Sequence, residues 1–215
     1  MKLESILRLK RVTVFAPHQD DEIFGSWGLI YKLTKQLDKQ IKIVFISNGE
    51  KGVPGAEPDP ELALIRKREA ASALQTLGIT DLDFLDFPDG ELSEHRLQIQ
   101  KEIEDRILVY ESELVLFPHH LDDHPDHKVV SDIILTVQSK YRDAFYLGYE
   151  IWSKIESPTL YVPLTEEEFT SKLETVGFYA SQLKLFDYRS HIKQTMKDRG
   201  NEIDYPYAEA YISYK

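Results

Sequence analysis

Val12-Thr13-Val14-Phe15-Ala16-Pro17-His18-Gln19-Asp20-Asp21-Glu22 is the stretch on which the fold and the chemistry both turn. Its first four residues are β-branched or aromatic and uncharged, the composition of a strand buried on both faces. The next seven place an imidazole and three acids at that strand's carboxyl end, where open α/β sheets bind ligands. From Glu22 to Lys35 the apolar residues Ile23, Trp27, Ile30, Tyr31 and Leu33 recur at helical spacing, so the stretch reads as strand, charged turn and helix. His18 and Asp21, in an H-x-x-D spacing across a tight turn, could both reach one metal, while Asp20 between them points elsewhere and could address a water. Capping of the following helix accounts equally well for the three acids taken alone, because helix N-termini favour carboxylates. His18 shifts the balance toward a metal.

Working outward, Ile41 to Ser47 and Leu114 to Phe117 are two further apolar runs that read as buried strands. A strand over Leu82 to Phe87 ends at the turn signal Pro88-Asp89-Gly90. Helical spacing fills Glu61 to Leu77, stopped by Gly78, then Glu94 to Tyr110, then the segment from His127 to about Ser139. Strand-like Tyr146 to Trp152 and Leu160 to Pro163 follow, then a helix near Glu166 to Leu185, and the acidic, Tyr-rich tail after Asp198 reads as irregular. Parallel strands need crossovers, so this alternation predicts an α/β, Rossmann-like three-layer fold with a mostly parallel sheet. The expected strand order is 3-2-1-4-5 in the N-terminal part, with a smaller C-terminal extension, in one domain over residues 1–215.

Composition narrows the function. The 215 residues carry 26 Lys and Arg against 37 Asp and Glu, a formal charge of −11, and no cysteine. Nucleic-acid binding needs a basic surface, so that partner is not expected. Disulfides, thiolate nucleophiles and Cys-ligated metals are excluded, which leaves nitrogen and oxygen ligands. The apolar runs fall short of the ~20 residues of a membrane span. Met1 to Ile6 holds no secretory h-region, so a cytoplasmic enzyme or binding protein is expected, with homo-oligomer formation left open.

Pro118-His119-His120-Leu121-Asp122-Asp123-His124-Pro125-Asp126-His127 holds four of the seven histidines in ten positions, directly after the Leu114 to Phe117 strand. Pro125 suits the first turn of a helix, which puts His124 at the cap and His127 one turn in. Capping or a solvated acidic loop is the blander account of any one of these histidines. Strands 1 and 4 are neighbours in a 3-2-1-4-5 sheet, however, so the loops after Phe15 and Phe117 face one crevice. Their convergence supplies His, Asp and His donors, an all-N/O set of the kind that holds catalytic zinc and lowers the pKa of water. Asp20 is then the natural general base, and the histidine off the metal the natural acid or oxyanion stabiliser. Spacing leaves open which histidine that is.

At these residues the chain resembles the PIG-L or LmbE-like de-N-acetylases, zinc enzymes that remove acetyl from N-acetylglucosamine-type substrates. Ala16-Pro17-His18-Gln19-Asp20-Asp21-Glu22 is similar to the first family signature and His124-Pro125-Asp126-His127 matches the second, H-P-D-H, without a gap. The resemblance implies that His18, Asp21 and His127 bind the metal and that Asp20 is the base. It implies that His124 stabilises the oxyanion and protonates the amine, tuned by Asp126. Arg66-Lys67-Arg68-Glu69 looks like the family's R-x-x-E helix, whose arginine contacts substrate, and Tyr179 to Gln182 and Tyr207 to Tyr211 resemble its C-terminal signatures. The implied cofactor is Zn2+, with Fe2+ or Co2+ also suited to such a set. The implied partner is a small N-acetylated sugar conjugate, cleaved to acetate and a free amine. Gln19 stands where the family usually has proline, and Leu121-Asp122-Asp123 replaces an aromatic or glycine-rich loop. The family's substrates range from thiol-cofactor precursors to glycolipid anchors, chitin fragments and antibiotics, so the resemblance selects no aglycone.

Two rivals stand beside this reading: a metallophosphatase, whose second metal would draw on His119, His120, Asp122 and Asp123, and a non-catalytic Rossmann-like sugar- or nucleotide-binding module. Gly49, Gly52 and Gly55 read as turn residues, since no phosphate-binding fingerprint surrounds them. Trp27 and Trp152 read as core packing rather than sugar platforms, although Trp152 on a late strand could line the crevice; His95 and His191 read as solvent-facing, and Arg66 on its residues alone as part of a solvated helix face. The acids flanking the crevice predict a preference for neutral or weakly charged sugars, unless Arg66 or Arg68 reaches in.

Overall fold

The computed structural model describes residues 2–52 and 57–214; the Gly55 reading lies outside them. In chain order the elements are α1 (Leu3–Ile6), β1 (Arg11–Ala16), α2 (Asp21–Thr34), β2 (Gln40–Ser47), α3 (Pro60–Gln75), β3 (Asp81–Phe87), α4 (Arg96–Val109), β4 (Leu114–Pro118), α5 (Pro125–Gln138), β5 (Phe145–Tyr149), β6 (Leu160–Leu164), α6 (Glu166–Val176), α7 (Ala180–Leu183), α8 (Tyr188–Asn201) and β7 (Tyr207–Tyr214). The strands form one seven-stranded sheet, ordered β3-β2-β1-β4-β5-β7-β6. Strands β1 to β5 pair in parallel, with Val12 opposite Ile41 on one side and Leu114 on the other. β7 runs antiparallel to both β5 and β6.

Side chains alternate across each strand, and the two faces bury different sets. Val12, Val14 and Ala16 of β1 and Leu114 and Leu116 of β4 join a core with α2, α3, α6 and α8. Phe15, Val115 and Phe117 point the other way, onto the isoleucines of α4 and the valines and isoleucines of α5. Burial on both faces explains why these strands carry unbroken apolar runs. The switch point lies between β1 and β4, which diverge to β2 and β5, so the loops after both strands open into one crevice.

The C-terminal third differs from the sequence expectation. The tail is not irregular: α8 continues to Asn201, and β7 inserts between β5 and β6 with its first five residues buried. The expected helix from Glu166 to Leu185 stops at Val176, where Gly177 forms the C-cap, and resumes as the single turn of α7. The expected strand from Tyr146 to Trp152 ends at Tyr149, leaving Trp152 in a bend.

Glu209 explains why a buried strand looked like a polar tail. Helix α2 breaks at Ser26 (φ −141°, ψ 16°), and the amides of Gly28 and Leu29 donate to the Glu209 carboxylate at 2.6 and 3.1 Å. Lys172 Nζ donates to the Phe24 carbonyl at 2.8 Å and to Glu209 at 2.9 Å, and Tyr211 adds its hydroxyl at 2.6 Å. Both sides of the break are thus satisfied by buried charge. A Cβ at position 28 would stand 2.8 Å from Leu164 Cδ1 and 2.9 Å from Glu209 Oε2, so any larger residue would have to displace these side chains.

Candidate metal centre

His18 leaves β1 through Pro17, and its backbone amide donates to Asp21 Oδ2 at 2.8 Å, closing the H-x-x-D turn. The same Asp21 oxygen lies 3.3 Å from His18 Nδ1 and 3.2 Å from His127 Nε2. One carboxylate therefore stands between imidazoles delivered by residues 109 positions apart. His124 caps α5, with its Nδ1 accepting the Asp126 amide at 3.2 Å, and Pro125 opens the helix. Ring nitrogens of His18, His124 and His127 lie within 4.8 Å of one another.

Asp20 holds the N-cap position of α2, yet its side chain makes no capping bond. It turns instead to Arg66, whose Nη2 lies 3.3 Å away. Capping therefore does not account for this acid. Arg66 itself is only 3% exposed, against the solvated helix face expected from its residues, because α3 packs it beneath Gly49, whose carbonyl accepts from Nη1 at 3.4 Å. Arg68, by contrast, stays exposed. Asp126 departs from the expected contact with His124: its carboxylate accepts from the Gly90 amide at 2.9 Å and lies 3.4 Å from His18 Nε2, and only its backbone amide touches His124.

Two carboxylates take roles that the sequence reading did not give them. Asp89, read there as a turn residue, places Oδ1 3.1 Å from His18 Nε2 and accepts the Lys51 amide on Oδ2 at 3.0 Å. An acid in the loop after β3, on the strand-end side that binds ligands, was the available signal. Asp122 lies 3.0 Å from His127 Nδ1 and accepts the His124 amide on the same oxygen, while its other oxygen accepts the Trp152 amide at 2.9 Å. The rest of the proposed second metal set disperses: His119 binds the Ser153 carbonyl, His120 the Tyr214 hydroxyl and Asp123 the Ser153 hydroxyl. Among the described residues, both groups of three close donors include His18. Trp27 is core, as expected. His191 is half-buried on the Ile151 carbonyl, and His95 is half-buried against Phe87.

The electrostatics favour a cation. Burial opposes charge on His18, but Asp89, Asp126 and Asp21 outweigh it and hold its pKa well above the imidazole value. Burial likewise opposes charge on His127, yet Asp21 and Asp122 lift it to about 9. Without metal, protons on these two rings take the place of a divalent charge. Both His127 nitrogens are buried without a well-directed hydrogen bond, as suits a ring whose nitrogen serves a cation. Burial, then the like charges of His18 and His127, press His124 down to about 4, so it stays neutral with its proton on Nε2. Asp20 is pushed up to about 6 by burial, against the pull of Arg66. The nitrogen and oxygen donors assembled here thus fit a divalent transition metal.

Residues 13–138, over half the chain and both charged loops, match the family described as PIG-L: GlcNAc-PI de-N-acetylase. The chain belongs to the PIG-L family. Among curated proteins, it is 31% identical over 134 residues to a probable N-acetyl-alpha-D-glucosaminyl L-malate deacetylase 2 of Bacillus subtilis, an alignment spanning 59% of each protein. It is 28% identical to the protein of the same description from Bacillus anthracis, over 80% of this chain and 81% of that one. In fold, this PIG-L member is similar to N,N'-diacetylchitobiose deacetylase of Pyrococcus horikoshii, with a TM-score of 0.84 at 20% identity over 99% of this chain and 90% of that one. Its R-x-x-E segment divides its work: Arg66 serves Asp20, while Glu69 accepts the Ser181 amide and hydroxyl at 2.8 and 2.6 Å and so anchors α7.

Proposed function

We propose that this chain is a single-domain, metal-dependent hydrolase that removes the acetyl group from an N-acetylglucosamine-type sugar conjugate, acting in the cytoplasm. The observation that carries the reading is Asp21 Oδ2 within 3.3 Å of both His18 and His127, beside an acid, Asp20, that is spent on neither a helix cap nor an imidazole. A divalent ion held by His18, Asp21 and His127, zinc in our reading, would supply a Lewis acid that polarises the acetamide carbonyl and acidifies water. Asp20, with a pKa of about 6, is mostly ionised at neutral pH and takes the proton of the attacking water. His124 presents Nε2–H to the oxyanion as oxygen adds to the carbonyl carbon. Asp20 then returns its proton to the nitrogen as the C–N bond breaks, which releases acetate and a primary amine. Asp122 orients His127, and Asp89 and Asp126 hold His18, as carboxylates do behind metal-bound imidazoles.

The test is to load the protein with zinc, iron(II) or cobalt(II) and assay acetate and amine release from N-acetylglucosaminyl conjugates. Equimolar acetate and amine are expected. Asp20→Ala should keep the metal and lose roughly 10²–10⁴-fold in turnover, whereas His127→Ala should lose the metal. Equal metal loss in both variants, or phosphate release from a generic ester in place of acetate, would overturn the reading.

A further inference from the structure

The cleft over this centre, about 460 Å³, has one apolar wall. Trp152, Phe186 and Tyr188 meet there at ring-centroid separations of 5.7, 5.6 and 5.0 Å and steep interplanar angles of 62°, 59° and 73°. Leu185 and Ile151 extend the wall. Trp152 remains 36% exposed and Leu185 and Phe186 each 45%, so contiguous apolar surface faces water beside a charged centre. Such patches mark binding surfaces.

The wall is held in register with the centre. The Trp152 amide donates to Asp122 Oδ2, and the opposite oxygen of that buried carboxylate faces His127. Glu150, at the start of the same bend, is bound by the Arg199 guanidinium and accepts the Ile155 amide. An aromatic ring tied through one carboxylate to a candidate metal ligand is placed for a substrate rather than left over from packing.

Charge across the cleft limits what that substrate carries. Among its described lining residues the cations are Lys51 and Arg66; Lys51 Nζ is 2.5 Å from Glu91, and Arg66 is engaged by Asp20. Asp20, Asp21 and Asp89 face the same space. A carboxylate or phosphate on the aglycone would meet three carboxylates, and the Lys51 and Arg66 side chains each already face an acid. A second sugar ring would find few hydroxyl partners along this wall, because Ile151, Leu185 and Phe186 present only carbon there and the polar tips of Trp152, Tyr188 and Gln182 are the exceptions.

Resting on the deacetylase reading above, we propose that this wall is an aglycone subsite for an uncharged aryl or alkyl group, and that it disfavours acidic conjugates. The test compares methyl, phenyl and octyl N-acetylglucosaminides with a dicarboxylate-bearing N-acetylglucosaminide and diacetylchitobiose, on the metal-loaded full chain. The phenyl and octyl compounds should exceed the other three in kcat/KM by roughly tenfold or more, the scale at which pockets reward added apolar groups. In Trp152→Ala, and separately in Phe186→Ala, the phenyl-to-methyl ratio should fall several-fold. Binding of phenyl and octyl glucosaminide, the deacetylated forms, should quench tryptophan fluorescence, and the quench should vanish in Trp152→Phe, where only buried Trp27 remains. Better turnover of the dicarboxylate or disaccharide, or an unchanged phenyl-to-methyl ratio in both alanine variants, overturns the proposal. Trp152-dependent quenching without acetate from any substrate would retain the apolar subsite and overturn the deacetylase reading instead.

Discussion

Asp122 joins three functions in one side chain. Its two oxygens serve His127, the His124 amide at the start of α5 and the Trp152 amide, all from a fully buried position. Replacing it with alanine should weaken zinc affinity by roughly 10–100-fold, the usual cost of losing a carboxylate behind a ligating imidazole. Competitive chelation read by a zinc dye would measure that loss. The same variant should also shift the Trp152 emission, because the bend loses its anchor; unchanged affinity and emission together would show that the carboxylate is dispensable. The sequence made His18, Asp20, Asp21, His124 and His127 visible through their density beside apolar strands. It did not reveal Asp122 as a support, since an acid in an acidic loop looks solvated until Trp152, 30 residues later, folds over it.

At the scale of elements, the broken helix α2 depends on two groups from distant segments. Lys172 of α6 and Glu209 of β7 are almost fully buried, and each satisfies backbone groups freed at Ser26 as well as the other's charge. Lys172→Met should cost about 3–5 kcal/mol, because it strands a buried carboxylate. Adding Glu209→Gln should recover part of that loss, as judged by urea unfolding; a double variant less stable than Lys172→Met would contradict this pairing. Helix α2 was legible from Ile23, Trp27, Ile30 and Leu33, but its break was not, since Gly25 and Gly28 permit a helix as readily as a kink. β7 escaped for the complementary reason. Its Tyr and Ala alternation is a strand pattern, yet Glu209 at the centre suggested solvent, and the freed amides of α2, with Lys172 and Tyr211, make that charge a core residue.

Across the whole molecule, the order β3-β2-β1-β4-β5 follows from the alternation of apolar runs and helices, and the crevice from that order. The surplus of acid is not spread evenly: Asp21, Asp89, Asp122 and Asp126 converge on His18 and His127, with Asp20 beside them on Arg66. Folding without metal therefore raises the pKa of His127 from 6.5 to about 9, and that of His18 in the same direction. A raised histidine stabilises the fold fully below the unfolded value and loses that contribution as pH climbs through the folded one. The Tm of the metal-free chain should accordingly fall between pH 6.5 and 9, while the metal-loaded chain, its imidazoles already deprotonated, should hold its Tm over that range. Parallel thermal melts check this, and a metal-free Tm that is level to pH 9 would contradict it. The placement of β7 has a temporal consequence as well. Among the described residues β6 pairs with β7 alone, so during synthesis residues 160–164 wait without a strand partner until residues 207–214 have left the ribosome. Helix α2, made earlier, waits longer still for the Glu209 carboxylate, which lies 181 residues beyond Gly28. A ribosome stalled between those two strands would hold a nascent chain with an unpaired edge at β5, and such edges recruit other chains. Swift translation of that interval would shorten the time for which the β5 edge stands open.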